Sequence, residues 1–196
     1  MKSFNSDIIP LIEGRKILDL GCGIGNLLSH GSKGSIGYDC DENIIKQANK
    51  LGRNVKYGML PNIRIEGKFD VVLLLHILEH LPSLPDVEQT LEIARVHLKE
   101  DGILIVGVPY AYDLTAWLHW QHQRVFTMTS LTDLVKKDGF QILDAYTYWH
   151  PPYEGWLLKH GIGNYPFRLI RRESLLKLLA TFALIRHITV IAELRS

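Results

Sequence analysis

Three glycines at alternate positions, Gly21, Gly23 and Gly25, follow the apolar run Ile17-Leu18-Asp19-Leu20, and a second acid, Asp39, closes the run Ile36-Gly37-Tyr38-Asp39. Residues of these types at this spacing can hold a nucleoside. Glycine takes positive φ and has no Cβ, so such a turn lets backbone N–H groups approach a ligand where a strand feeds a helix N-terminus. Asp39 falls about where open α/β folds place a ribose-binding acid, and its two oxygens can accept from both ribose hydroxyls. The nicotinamide-dinucleotide fingerprint G-x-G-x-x-G, started at Gly21, needs glycine where this chain has Asn26. The chain instead reads D-x-G-x-G-x-G, and an adenosine-bearing cofactor is expected.

The elements that must position these residues alternate strand and helix, the pattern of a doubly wound, mostly parallel sheet. Strands are expected at 16–20, 34–39, 54–57, 69–75, 103–108, 140–149 and 188–195. A helix at 43–51 stops at Gly52. A longer one at 86–98 carries Val87, Leu91, Ala94 and Leu98 at helical spacing, with Pro82 and Pro85 ahead of it. A third begins near Ser130, with Asp133 as its capping-box acid, and stops at Gly139. Parallel strands joined by right-handed crossovers leave a crevice at their carboxyl ends, so the glycines, the acids and the residues after each strand should meet at one sheet edge.

Composition agrees with a single domain over 1–196. The 196 residues are 46% hydrophobic, enough for one substantial core. A net charge of +1 provides no electrostatic footprint for nucleic acid. Cys22 and Cys40 both fall in expected ligand loops, which favours a reduced, cytoplasmic setting over a disulfide scaffold. No secretory leader or bilayer-length apolar run is evident. The segment before the first strand is too short for a large lid. Two later segments could cover a substrate: 110–128, with Tyr110, Tyr112, Trp117, His119, Trp120, His122 and Arg124, and 151–186, with Trp156, Tyr165, Phe167 and an amphipathic run at 175–185. A homodimer contact through these aromatics stays open.

At the glycine turn and Asp39 the chain resembles the class I S-adenosylmethionine-dependent methyltransferases, in particular the small-molecule group that includes the ubiquinone-biosynthesis O-methyltransferases. The resemblance spans roughly 16–149. It extends to Leu78-Glu79-His80-Leu81 after the fourth strand and to Leu98-Lys99-Glu100-Asp101-Gly102-Ile103-Leu104, where Glu100 and Asp101 replace a proline and a glycine of that family's turn. It implies a seven-stranded Rossmann-like methyltransferase fold with an aromatic-rich insertion before the last strand, and S-adenosyl-L-methionine as cofactor. Asp19 is then expected near the methionine end. Gly21, Cys22, Gly23, Gly25 and Asn26 pass beneath the cofactor, and Asp39 and Cys40 lie at the ribose. Gly58, Met59 and Leu60 lie near adenine without the acid that many relatives have there, and Leu74 and Leu75 end the fourth strand.

The implied activity is methyl transfer to a small, partly apolar molecule, with oxygen the preferred acceptor atom. In-line displacement at a sulfonium methyl needs alignment more than acid catalysis, and a base only if the acceptor must lose a proton. Histidine titrates near neutrality, and His76 and His80, just past the fourth strand, are the candidate catalytic residues. Equally, His80 could bond a backbone carbonyl and fix a loop.

Two other classes compete. A catalytically silent cofactor-binding module could partner another protein, although none of the cofactor motifs looks decayed. His76-Ile77-Leu78-Glu79-His80 formally matches the zinc-hydrolase pattern H-x-x-E-H, but that pattern needs a helix, and here a buried strand precedes it and Pro82 follows. Some members of the ubiquinone-biosynthesis group bear E-x-x-E-H at this place and bind a divalent cation. This chain has His76 for the first acid, so no metal is expected.

Overall fold

The computed structural model describes residues 4–111, 113–149 and 185–195. In chain order the elements are α1 (Phe4–Ile12), β1 (Ile17–Leu20), β2 (Ile36–Asp39), α2 (Glu42–Lys50), β3 (Val55–Tyr57), β4 (Phe69–Leu75), α3 (Leu84–His97), β5 (Leu98–Pro109), α4 (Leu114–Leu118), α5 (Met128–Lys137), β6 (Phe140–Trp149) and β7 (Ile185–Leu194). They build one seven-stranded sheet in the order β3-β2-β1-β4-β5-β7-β6. The five strands from β3 to β5 are parallel. β7 runs antiparallel against both β5 and β6.

This is the mostly parallel sheet that the apolar runs imply, because strands covered on both faces need side chains that are apolar on both faces. Ile17, Leu18, Leu20, Val71, Val72, Leu73 and Leu74 are fully buried. They divide into two cores. Leu18, Leu20, Val72 and Leu74 pack with Val87, Leu91 and Ala94 of α3 on one face. On the other, Ile17, Val71, Leu73 and Ile105 pack with Ala48 of α2 and with Ile8 and Ile12 of α1. The segment before β1 is therefore a helix that closes the second core.

Local chemistry moves three expected boundaries. α3 starts two residues earlier than its apolar spacing implies, because Ser83 caps it: the Asp86 N–H donates to Ser83 Oγ (3.2 Å) and the Ser83 N–H to Asp86 Oδ2 (2.9 Å). Pro85 then sits in the first turn, where its missing N–H is harmless. α5 is capped by Thr127, with Ser130 as the reciprocal partner, and Asp133 lies exposed within the helix. Residues 99–102 are a bulge within β5 rather than a turn before it, since the register jumps from Phe69↔Leu98 to Val71↔Ile103.

Of the two segments expected to cover a substrate, 151–186 lies outside the described residues, apart from the start of β7. The other, at 110–128, contains the short helix α4 and rejoins the sheet at a bridge between Tyr110 and Phe126. Among the described residues no helix is long and apolar enough to cross a membrane.

Candidate active site

The carboxyl ends of β1, β2 and β4 meet where the sheet order reverses its direction of growth. β1 runs straight into the glycines, and Gly21, Gly23 and Gly25 all take positive φ (76°, 53° and 69°). The turn is fastened to β2, since the Gly21 and Cys22 N–H groups both donate to the Tyr38 carbonyl, at 2.8 and 3.1 Å. Asp39 completes the link. Its Oδ2 accepts from the Gly23 N–H at 2.9 Å and its Oδ1 from the Asp41 N–H at 3.0 Å. The glycine turn and the second acid, separate in sequence, thus form one wall.

Each glycine meets a different need. A Cβ at Gly21 would lie 2.8 Å from Ile77 Cδ1, so this position lets the turn pack against the segment after β4. A Cβ at Gly23 would meet no described atom within 4 Å. The backbone there is open to a ligand. Gly25 faces inward, toward Leu28 and Val55.

In front of this wall lies a cleft of about 170 Å³ lined by Asp19, Gly21, Cys22, Asn26, Leu27, Leu75 and His76. Asp19 is 4% exposed, and its burial, then the charge of Asp39, raises its carboxyl from 3.8 to about 7. The same burial, with both aspartates nearby, pushes the Cys22 thiol up, so it is a small inert wall and not a nucleophile. His76 is held in an unusual way. Its φ of 56° is the only positive value on a non-glycine among the described residues, and its N–H donates to the Gly107 carbonyl at 2.8 Å. A left-handed histidine costs on the order of 1 kcal/mol or more and persists where its surroundings enforce it.

Other expected site residues lie at varying distance from this cleft. Leu74 is fully buried in the core, and its neighbour Leu75 takes the place on the wall. Cys40 and Met59 are exposed, Leu60 packs against the core, and the Gly58 N–H donates to the Asp39 carbonyl at 3.0 Å. His80 is not among the residues lining the cleft, and its Nδ1 lies 3.2 Å from the Gln121 carbonyl, the kind of contact that the loop-fixing alternative requires. Leu27 was not anticipated, although it is the first of the apolar pair that follows the glycines. Residues 76–80 lack the helix that an H-x-x-E-H metallohydrolase requires: extended β4 gives way to the left-handed His76 and a short 3-10 turn, Leu78–His80.

A family model described as a methyltransferase domain matches residues 3–145. The chain belongs to the methyltransferase-domain family. Its fold is shared with solved S-adenosylmethionine-dependent methyltransferases. One from Clostridium acetobutylicum has a TM-score of 0.68 at 15% identity, covering 96% of this chain and 87% of that one. One from Mesorhizobium loti has 0.68 at 16%, covering 97% and 98%. One from Archaeoglobus fulgidus has 0.67 at 20%, covering 96% and 90%. None of the curated proteins compared matches. The family model establishes a methyltransferase domain, and the solved neighbours that share its fold are S-adenosylmethionine-dependent. The open backbone at Gly23, the acid joined to it and the buried Asp19 are chemistry that suits a cationic nucleoside.

Proposed function

We propose that the enzyme methylates a small, partly apolar molecule, preferring oxygen as the acceptor atom. Leu75 and His76, an apolar side chain and a ring nitrogen side by side on the cleft wall, carry this reading. The bound donor supplies a methyl carbon on a positively charged sulfur, open to in-line displacement. Asp19 faces the methionine end, the residues from Gly21 to Asn26 lie beneath the nucleoside, and Asp39 accepts from the ribose hydroxyls while bracing the turn through the Gly23 N–H. His76 keeps Nδ1 3.3 Å from Glu79 Oε1, so Nε2 is the ring nitrogen that meets an acceptor hydroxyl and takes its proton. The leucines on the wall keep the transfer dry.

The test is transfer of labelled methyl from S-adenosyl-L-methionine to a panel of phenols, alcohols and amines. Hydroxyl acceptors should be labelled in preference. His76→Ala should lower turnover by roughly 10²- to 10⁴-fold, the range for loss of a positioned base, with little change in affinity for S-adenosyl-L-homocysteine. Transfer confined to amines, or full turnover in the variant, counts against the reading.

Asp19 sets a pH dependence whose sign follows from its raised carboxyl. Between 3.8 and about 7 the folded chain holds a proton that the unfolded chain has released, so the contribution of Asp19 to stability falls as pH rises through that window. A ligand ammonium beside it favours the charged form, and binding then expels the proton. Calorimetry should show affinity for S-adenosyl-L-homocysteine weakening below about pH 7, approaching roughly tenfold per pH unit, and Asp19→Asn should flatten the profile. A profile unchanged by that substitution removes Asp19 from the role.

A further inference from the structure

Behind the cleft wall the turn after β4 meets the segment after β5, and the groups that meet are unusually rich in metal-binding atoms. One ligand atom each from Glu79, His80 and His122 lies within 4.8 Å of the others. Glu79 is 1% exposed, and neither of its carboxylate oxygens accepts a hydrogen bond from a described residue. Oε1 instead faces His76 Nδ1. A buried carboxylate left this way carries an unmet electrostatic demand that a cation can satisfy.

Both imidazoles are held in one tautomer by a backbone carbonyl. His80 Nδ1 lies 3.2 Å from the Gln121 carbonyl and His122 Nδ1 lies 2.7 Å from the Ala116 carbonyl. A carbonyl can only accept, so each Nδ1 carries the proton and each Nε2 keeps its lone pair. This is the arrangement that fixes tautomer and ring direction in metal-ligating histidines. The His80 and His122 rings lie 5.0 Å apart, and His119 stacks on His122 at 4.3 Å.

We propose that Glu79, His80 and His122 bind one zinc-class transition-metal ion that pins the segment after β5 to the turn after β4. Two imidazoles and one carboxylate suit zinc, whereas magnesium and calcium call for oxygen ligands. The donors differ from an E-x-x-E-H set: the third comes from another element, and His76 lies on the cleft wall. The inference is independent of the acceptor reading. Its consequence for the enzyme is positional, because an ion held by Glu79 fixes the carboxylate against which His76 rests.

The experiment uses tag-free full chain stripped with a chelator and titrated with zinc. One equivalent should bind, millimolar magnesium should not displace it, and zinc should raise the melting temperature. His122→Ala and Glu79→Gln should each weaken zinc binding on the order of 100-fold. His97→Ala, whose ring bonds the Gly67 carbonyl away from this cluster, should bind as the parent does. Glu79 is buried, so circular dichroism checks its variant for folding; if that fails, the partly exposed His122 decides. No uptake, or His122→Ala binding zinc as tightly as the parent, overturns the proposal. Binding of S-adenosyl-L-homocysteine to the stripped parent is measured alongside. If it persists where zinc does not bind, the metal inference alone fails and the methyl-donor site stands.

Discussion

Replacing Asp39 by Ala should weaken binding of S-adenosyl-L-homocysteine by roughly 1.5–3 kcal/mol, the range for hydrogen bonds to a charged group, or about ten- to a hundredfold in Kd. The loss has two sources. In the proposed site the carboxylate accepts from the ribose, and it also takes the Gly23 and Asp41 N–H groups, so its removal strips the glycine turn of a brace as well as the ligand of a partner. Asp39→Asn separates the two. It keeps an oxygen for one N–H but loses the charge, so its Kd should fall between those of the parent and the Ala variant. Titration calorimetry at fixed salt measures all three, and an unchanged Kd for the Ala variant contradicts the site.

Leu74→Ala should have a large effect of another kind. Leu74 is fully buried, packed among Leu20, Val72 and the buried face of α3, and truncation of such a side chain typically removes about 2–5 kcal/mol of stability. For a chain of this size that corresponds to a fall of roughly 5–15 °C in Tm. Cofactor affinity, measured well below the transition, should stay within about threefold of the parent. Leu75→Ala should show the reverse balance, because its side chain lines the cleft. A Leu74 variant with normal Tm and poor binding would return that residue to the cofactor site.

The contrast between Leu74 and Leu75 shows where sequence reading stops. A run such as Phe69-Asp70-Val71-Val72-Leu73-Leu74-Leu75 declares a buried strand by composition alone, but both faces are apolar, so no alternation tells which leucine at its end faces a ligand. Capping presented a similar ambiguity. Thr127 and Ser130 each stand three residues ahead of a plausible partner, and only the bridge joining Phe126 to Tyr110, which brings the chain back to the sheet, decides that the helix starts from Thr127. α1 escaped notice because its buried residues, Ile8 and Ile12, form too short a series to declare a period, and Pro10 stands between them.

By itself the sequence determined the parallel strands, the glycine turn and the acid that joins it, because those depend on local demands: positive φ, absence of Cβ, and apolar runs too long to leave in water. Tertiary structure decided what depends on the paths of loops. It brought His122 to His80 and Glu79 across more than forty residues, turned His76 into the cleft on a left-handed backbone, and buried Asp19 beside Asp39 so that its carboxyl is raised. No residue spacing encodes such meetings, since they arise only when two carboxyl-terminal strand ends lie next to each other in the folded sheet.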